Sequence, residues 1–160
     1  LPEVAGPEVI SPATRPAEAS ARADIVVTCT PARSPILGPD DVSPGQFIAA
    51  VGADSEGKHE LDVRLLAKAR VVTDLTAQSA RMGDLQHAIA AGLMTAEDVH
   101  AEIGQILSGA RPGRSDEHEI FIYDSTGTAL QDVAAAALVF ERAREEGTGR
   151  VLDLEGGANP

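Results

Sequence analysis

Two charged residues, Asp54 and Lys58, are the first candidates for chemistry in this sequence. They follow an apolar run, Phe47 to Val51, which is too short for a helix and has the length of a buried strand. The run breaks at Gly52, so both side chains fall in the loop that comes next. Ligands of an open α/β sheet bind beyond the carboxyl ends of its strands. The pattern therefore predicts a ligand site that contains Asp54 and Lys58.

Asp54 has the chemistry of a general acid or base. We expect partial burial beside the strand to raise its pKa toward the range of a useful base. The alternative is that Asp54 only caps a turn beside Gly52, as aspartate often does. Lys58 either neutralises Asp54 or reaches an anionic ligand, and the alternative for it is an ordinary solvated lysine.

Small polar side chains end the first predicted strand, which runs from Asp24 to Thr30. The sizes of Thr28 and Thr30 would allow a flat ring to approach the backbone. Cys29 lies between them and is expected to be a small buried residue rather than a nucleophile, because no histidine is placed to activate it.

Ser125 follows another predicted strand, 119–123, in the loop Asp124-Ser125-Thr126-Gly127. A long helix is predicted after this loop, over 129–146. Ser125 either faces a ligand at the amino terminus of that helix or, like Thr126, serves as its cap.

The sequence carries none of the common metal or nucleotide motifs. The only G-x-G, Gly147-Thr148-Gly149, follows a predicted helix instead of a strand, so its context is wrong for a dinucleotide fingerprint. Neither a P-loop nor a G-x-S-x-G elbow occurs. The histidines lack metal-ligand spacing and are expected at the surface. They are His59, His87, His100 and His118.

The composition excludes several classes of partner. A chain of 160 residues with a formal net charge of −12 and no basic stripe is unsuited to nucleic acid or to anionic membrane surfaces. No run reaches the ~18 apolar residues of a membrane span. The single cysteine suits a reducing compartment, so we expect a cytoplasmic protein. Aromatic residues are only 2%, and a core of small aliphatic side chains suits helices packed on a parallel sheet.

Strands and helices are predicted to alternate along the chain, which favours a mostly parallel α/β sheet with helices on both faces. Further strands are predicted at 70–74 and, less regularly, at 9–10 and 150–154. Further helices are predicted over 17–23, from Glu60 or Asp62 to Ala69, over 76–87 with an interruption at Gly83, and from Thr95 through Leu107.

Four segments in this order resemble the ornithine cyclodeaminase/mu-crystallin family. They are ADIVVTCTPARSPIL, PGQFIAAVGADSEGKHELD, RVVTDLTAQSARMGDLQHAI and EIFIYDSTGTALQDVAAA, and they cover most of the chain. The resemblance implies an NAD(P)-binding Rossmann domain, which in this family is usually paired with a substrate-binding and dimerisation domain.

The resemblance also implies roles for individual residues. In the cyclodeaminase branch of the family, the aspartate of the G-x-D-x-x-G-K segment is the catalytic acid/base, and it corresponds to Asp54. Ketimine reductases similar to mu-crystallin tend to lack this aspartate, so its presence favours the cyclodeaminase or amino-acid dehydrogenase branches. The lysine of that segment and the serine of a D-S-x-G segment contact the cofactor, and they correspond to Lys58 and Ser125. We assign Thr28 and Thr30 to the same cofactor, which is NAD, with NADP as the alternative.

The implied reaction is a hydride transfer from the α-carbon of an amino acid to NAD, which gives an imine. We predict an NAD-dependent ornithine cyclodeaminase-like enzyme, in which the side-chain amine then attacks the imine, ammonia leaves, and the hydride returns to the cyclic imine. An imine reductase or an alanine-dehydrogenase-like enzyme of the same family is the alternative, with water or ammonia in place of the internal amine. A different class is a non-catalytic fragment that only assembles with an amino-terminal partner.

The domain organisation follows from the resemblance. Residues 1–22 are expected to lead into the Rossmann domain, residues 23–147 to form its carboxyl-terminal part, and residues 148–160 to return toward a substrate and dimerisation domain. The family's glycine-rich phosphate loop and its substrate-holding residues do not occur in these 160 residues. The expected partners are therefore an amino-acid or imino-acid substrate, a missing amino-terminal half of the same protein and a second copy in a homodimer.

Overall fold

Seven short strands form two sheets in this computed structural model, which describes residues 11–150 and Leu152. The main sheet contains β1 (Ile25–Thr28), β3 (Phe47–Ala50), β5 (Arg70–Thr73), β6 (Ala101–Glu102) and β7 (Phe121–Asp124). Its order is β1-β3-β7-β5-β6, and every neighbouring pair is parallel. A smaller sheet pairs β2 (Arg33–Leu37) with β4 (His59–Leu61). The predicted parallel α/β fold is confirmed.

In the described residues, five short helices and one helix of 17 residues accompany these strands. They are α1 (Pro16–Ser20), α2 (Val63–Leu66), α3 (Thr76–Met82), α4 (Leu85–Ala90), α5 (Ile103–Leu107) and α6 (Ala129–Glu145). The predicted interruption at Gly83 is confirmed, because this residue is extended and separates α3 from α4.

The core lies on one face of the main sheet. Ile48, Ile122 and Val71 occupy one register row across three adjacent strands and are at most 1% exposed. Leucines of the short helices and of β4 cover this row. The buried leucines are Leu37, Leu61, Leu65, Leu66 and Leu85. A sheet buried by aliphatic side chains agrees with the low aromatic content of the sequence.

A helix was predicted to begin at either Glu60 or Asp62, and only the second alternative is correct. Glu60 lies in β4 and does not begin a helix. Asp62 is the residue that caps α2, and its carboxylate accepts a hydrogen bond from Arg64 N at 2.8 Å. The helix ends at Leu66, one turn before the predicted end, since Lys68 N and Ala69 N already form tighter turn bonds.

The single helix predicted from Thr95 is wrong. A 3₁₀ turn (Ala96–Asp98) is followed by β6 and only then by α5. The expected capping contact is present, because Thr95 N donates to Asp98 Oδ2 at 2.7 Å. His100 N then donates to Val71 O at 2.8 Å and draws the chain into the sheet. Pairing with β5 therefore overrides the helical pattern of the sequence.

The chain forms two compact units that divide between Gly127 and Thr128. The first unit contains both sheets, and the second contains α6. The domain boundaries proposed at residues 22 and 147 stay predictions. The predicted strand at 9–10 lies outside the described residues, as does most of the one at 150–154. Among the described residues, no helix combines the length and the apolar character that a membrane crossing requires.

Candidate functional site

The carboxyl ends of four strands meet at one edge of the main sheet. Thr28, Ala50, Asp124 and Thr73 form the last register row of β1, β3, β7 and β5. The residues that follow each strand therefore leave the sheet on the same side. This edge is where the sequence predicts a ligand site.

Asp54 and Lys58 form an ion pair in the loop after β3. Lys58 Nζ donates to Asp54 Oδ1 at 2.6 Å, and the Asp54 side chain is 51% exposed. The hydrogen bond and charge of Lys58 lower the pKa of Asp54 below its usual range. The expected upward shift from burial is therefore wrong, because the carboxylate is open to solvent and has a cation beside it.

The loop that carries this pair is a short turn. Asp54 N donates to Gly52 O at 3.1 Å, and Lys58 N donates to Ser55 O at 3.1 Å. Gly57 has a φ of +77°, which favours glycine and lets the chain reverse toward β4. This reversal returns Lys58 to Asp54.

A fully buried glutamate, Glu60, lies behind the edge. Its carboxylate accepts four hydrogen bonds, and a buried charge needs such partners. The donors are Thr28 Oγ1 (2.7 Å), Thr30 N (2.6 Å), Thr30 Oγ1 (2.7 Å) and Gly52 N (2.9 Å). The hydroxyls of Thr28 and Thr30, both predicted to contact the cofactor, thus point to Glu60. Cys29 between them is exposed, so its expected burial is wrong.

Gly52 is the residue that makes room for this carboxylate. A Cβ at position 52 would lie 2.5 Å from the Glu60 carboxyl carbon and 2.5 Å from Thr30 N. Both distances are far below van der Waals contact. The break that the sequence shows at Gly52 is therefore required by the buried glutamate.

Two further carboxylates, Asp84 and Asp124, are buried and are connected to Glu60 by a series of hydrogen bonds. Asp84 Oδ1 accepts from Glu60 N at 2.7 Å, and Asp124 accepts from Asp84 N and Leu85 N at 3.0 Å each. Burial raises the pKa of Asp84 to about 6. Burial, together with the neighbouring Asp84, raises the pKa of Asp124 to about 7. These groups tie β4, β7 and α4 together beneath the edge.

Ser125 and Thr126 form a cluster with Asp74 at the end of β5. Thr126 N donates to Asp74 Oδ2 at 2.9 Å, and Ser125 Oγ donates to it at 3.3 Å. The position before α6 is held by Thr128, so neither Ser125 nor Thr126 is its cap. Ser125 is 8% exposed, and its role as a cofactor contact stays a prediction.

Two histidines support the Asp54 loop from below. The rings of His59 and His87 stack with centroids 3.8 Å apart, and His87 Nε2 lies 2.7 Å from Lys58 O. Desolvation and the neighbouring ring lower the pKa of His59. The expectation that all four histidines lie at the surface is wrong for this half-buried pair, because the reversal at Gly57 brings β4 against α4.

An open cleft of about 750 Å³ lies beside the loop. Glu56, Gln78, Arg81 and Glu102 contribute to its walls, whereas Asp54 and Lys58 do not line it. The described residues contain no group of three or more potential metal ligands that could hold an ion.

The sequence reasoning missed the buried carboxylates as structural groups. Their signal is an acidic residue directly after an apolar strand, as in VVTD at Asp74 and FIYD at Asp124. Glu60 sits between His59 and Leu61 and resembles an ordinary exposed loop charge. Burial of Glu60 becomes visible only once β4 is known to pack under the main sheet.

Comparison with known proteins identifies the family. The model of the ornithine cyclodeaminase/mu-crystallin family matches residues 4–147, so the chain belongs to this family. The alanine dehydrogenase of Archaeoglobus fulgidus is 44% identical over 140 residues, which are 88% of this chain and 44% of that protein. The chain therefore spans less than half the length of this relative.

Solved structures agree with the fold. An archaeal alanine dehydrogenase dimer with bound NAD superposes with a TM-score of 0.79 at 43% identity, covering 88% of this chain and 44% of that one. The iminosuccinate reductase of Paracoccus denitrificans in complex with NAD⁺ gives 0.77 at 44%, covering 84% and 41%. A lysine cyclodeaminase gives 0.72 at 31% identity, covering 86% and 39%.

Proposed function

We propose that this chain is part of an NAD-dependent oxidoreductase that interconverts an α-amino acid with its imine. The observation that carries this proposal is the Asp54–Lys58 pair, an exposed carboxylate held 2.6 Å from an amine at the edge where four strands end. The protonated substrate amine, the iminium ion and the oxidised nicotinamide all carry positive charge. An ionised carboxylate at this edge stabilises each of them.

The residues of the edge fit the nicotinamide end of NAD. The side chains next to the Asp54 loop are small and uncharged, and they belong to Thr28, Cys29 and Thr30. Further polar contacts come from Lys58 and Ser125. The pyrophosphate needs a glycine-rich turn between a strand and a helix, and the 160 residues contain none. Bound NAD supplies the hydride acceptor, while the residues of this chain orient it and handle protons.

Asp54 acts as the acid/base of the proposed reaction. With Lys58 in contact, its pKa is low and the carboxylate is ionised at neutral pH, so it is in the form that accepts a proton. A substrate or cofactor that draws Lys58 away would raise the pKa of Asp54 and strengthen it as a base. Asp54 then takes a proton from the water or amine that attacks the imine carbon.

Cyclodeamination is the second candidate, because the residues that correspond to Asp54 and Lys58 in cyclodeaminases act as the acid/base and as a cofactor contact. We place it second because the chain is 44% identical to an alanine dehydrogenase and 45% identical to an iminosuccinate reductase, against 43% for an uncharacterised cyclodeaminase and 31% for a lysine cyclodeaminase. We also propose a homodimer, which the dimeric archaeal alanine dehydrogenase supports. Light scattering of the full-length protein would test that assembly.

A substrate screen with the full-length protein tests the function. Amino acids with NAD, and imino or 2-oxo acids plus ammonia with NADH, are followed by nicotinamide absorbance and ammonia release together. A dehydrogenase changes both signals in step, whereas a reductase of a cyclic imine oxidises NADH without using or releasing ammonia. A cyclodeaminase releases ammonia with no net change of cofactor, and a protein that changes neither signal with any substrate contradicts the proposal.

A further inference from the structure

We propose that Glu60 is the positioning residue of this site, because its buried carboxylate joins the ends of β1 and β3 and so fixes the backbone that carries Asp54. This inference rests on the proposed role of Asp54. It extends that role to a residue that is fully buried behind the edge.

Glu60 takes over where the sheet ladder ends. The last backbone bond between the two strands is Val51 N to Thr28 O at 2.9 Å. Beyond it, Thr30 N and Gly52 N both donate to the Glu60 carboxylate, at 2.6 and 2.9 Å. The carboxylate thus links the backbone segments that follow β1 and β3, which no longer bond to each other.

The position of Gly52 is transmitted to Asp54. Asp54 N donates to Gly52 O, so a shift of Gly52 moves the start of the Asp54 turn. Glu60 is itself fixed, because its own N–H donates to Asp84 Oδ1 at 2.7 Å. Glu60 is 0% exposed whereas the Asp54 side chain is 51% exposed, so the hydrogen bonds of Glu60 do not compete with solvent.

An amide cannot replace this carboxylate. Oε1 accepts from Thr30 N and Thr30 Oγ1, while Oε2 accepts from Thr28 Oγ1 and Gly52 N. In Glu60→Gln, either side-chain orientation sets an NH₂ group against a backbone N–H. A hydroxyl can rotate away from such a clash but a backbone N–H cannot, so either Thr30 N or Gly52 N loses its acceptor.

The test uses Glu60→Gln in the full-length protein, at a temperature well below its melting point. We expect kcat to fall about 10- to 100-fold, the scale of a catalytic group displaced by about 1 Å. The amide resonances of Thr30 and Gly52 in isotope-labelled protein should shift. Glu119→Gln is the matched control, since Glu119 lies just before β7 and pairs with Arg70, the first residue of β5, at the opposite edge. This control should retain kcat whatever its effect on melting temperature.

The outcomes separate the inference from the proposed function. A folded Glu60→Gln protein with unchanged kcat, or with unshifted Thr30 and Gly52 amides, overturns the inference. A wild-type protein without turnover contradicts the proposed function, and the amide resonances then decide the Glu60 contact alone. If Glu60→Gln does not fold, Glu60→Asp withdraws the carboxylate by one methylene, and unchanged kcat in that variant also overturns the inference.

Discussion

Asp54 and Lys58 show how one contact sets the chemistry of a residue. Their spacing in the sequence was enough to predict that both belong to one loop beyond a strand. The direction of the Asp54 pKa shift was not predictable, because it depends on Lys58 reversing at Gly57 to reach 2.6 Å. The sequence likewise gives no measure of burial for Glu60, because its burial depends on β4 packing under the main sheet.

Removing the Lys58 amine should raise the pKa of Asp54. In Lys58→Met the hydrogen bond and the positive charge that lower this pKa are both absent, and the carboxylate stays exposed. Carboxyl NMR titration of the variant measures the change. Lys68→Met is the control, because Lys68 is exposed and far along the chain from Asp54. An Asp54 titration that is the same in wild type and Lys58→Met would show that the ion pair does not form in solution.

At the scale of elements, apolar runs predicted the strands well and the connections less well. Four adjacent strands of the main sheet were found from continuous β-branched or apolar runs, whereas β2, β4 and β6 were missed. Their residues are mostly polar or mixed, and they pair only because tertiary contacts such as His100 N to Val71 O draw them in. The hydrogen bond from His100 N to Val71 O joins residues that are 29 positions apart, and local periodicity cannot reveal such a contact.

Gly83 is expected to be essential for the junction of α3, α4 and β7. A Cβ there would lie 2.6 Å from Asp124 Oδ2, so Gly83→Ala should destabilise the fold by about 1–3 kcal/mol through overpacking. Chemical denaturation measures this change. Gly104→Ala is the matched control, because its Cβ meets nothing within 4 Å and alanine favours the helix. Equal stability of wild type and Gly83→Ala would refute the packing at Asp124.

The buried Asp124 should make stability depend on pH. Its pKa is raised from 3.8 to about 7 in the fold, so the native state binds its proton more tightly than the unfolded state. This contribution is complete below about pH 4 and is lost as pH rises toward 7. The pKa of His59 is lowered, so its contribution to the stability of the fold decreases as pH falls, which opposes the trend from Asp124.

Asp124→Asn isolates this contribution. The variant should be less stable throughout, because an NH₂ group faces the N–H of Asp84 or Leu85. The stability difference between wild type and variant should be larger at pH 5.5 than at pH 7.5, by the linkage argument above. Thermal melting at both pH values measures it. A difference that is constant or larger at pH 7.5 would contradict the raised pKa of Asp124.

For the whole molecule, the family and the parallel fold followed from the sequence, while the activity stays a proposal. The chain covers 44% of the archaeal alanine dehydrogenase and carries the edge that holds Asp54. The pattern that binds a pyrophosphate is absent from its 160 residues. The composition and motifs of the sequence are therefore sufficient to infer the class of cofactor but not the substrate.

The isolated 160-residue chain should bind NAD weakly. The contacts proposed here lie at the nicotinamide end, and the backbone amides that hold a pyrophosphate in other dinucleotide sites have no counterpart in the sequence. Isothermal titration calorimetry of the chain and of the full-length protein makes the comparison. Micromolar binding of NAD by the chain alone would contradict this expectation.

The most direct test of the account is the turnover of Asp54→Asn in the full-length protein. The substitution keeps the size of the side chain and removes the group that exchanges a proton. We expect kcat to fall by roughly 10²-fold or more, the scale of a positioned acid or base, while NAD affinity and melting temperature change little. Asp116→Asn, in the exposed loop before β7, is the control and should keep full activity. An Asp54→Asn enzyme that retains most of its kcat would contradict the central claim that this carboxylate is catalytic.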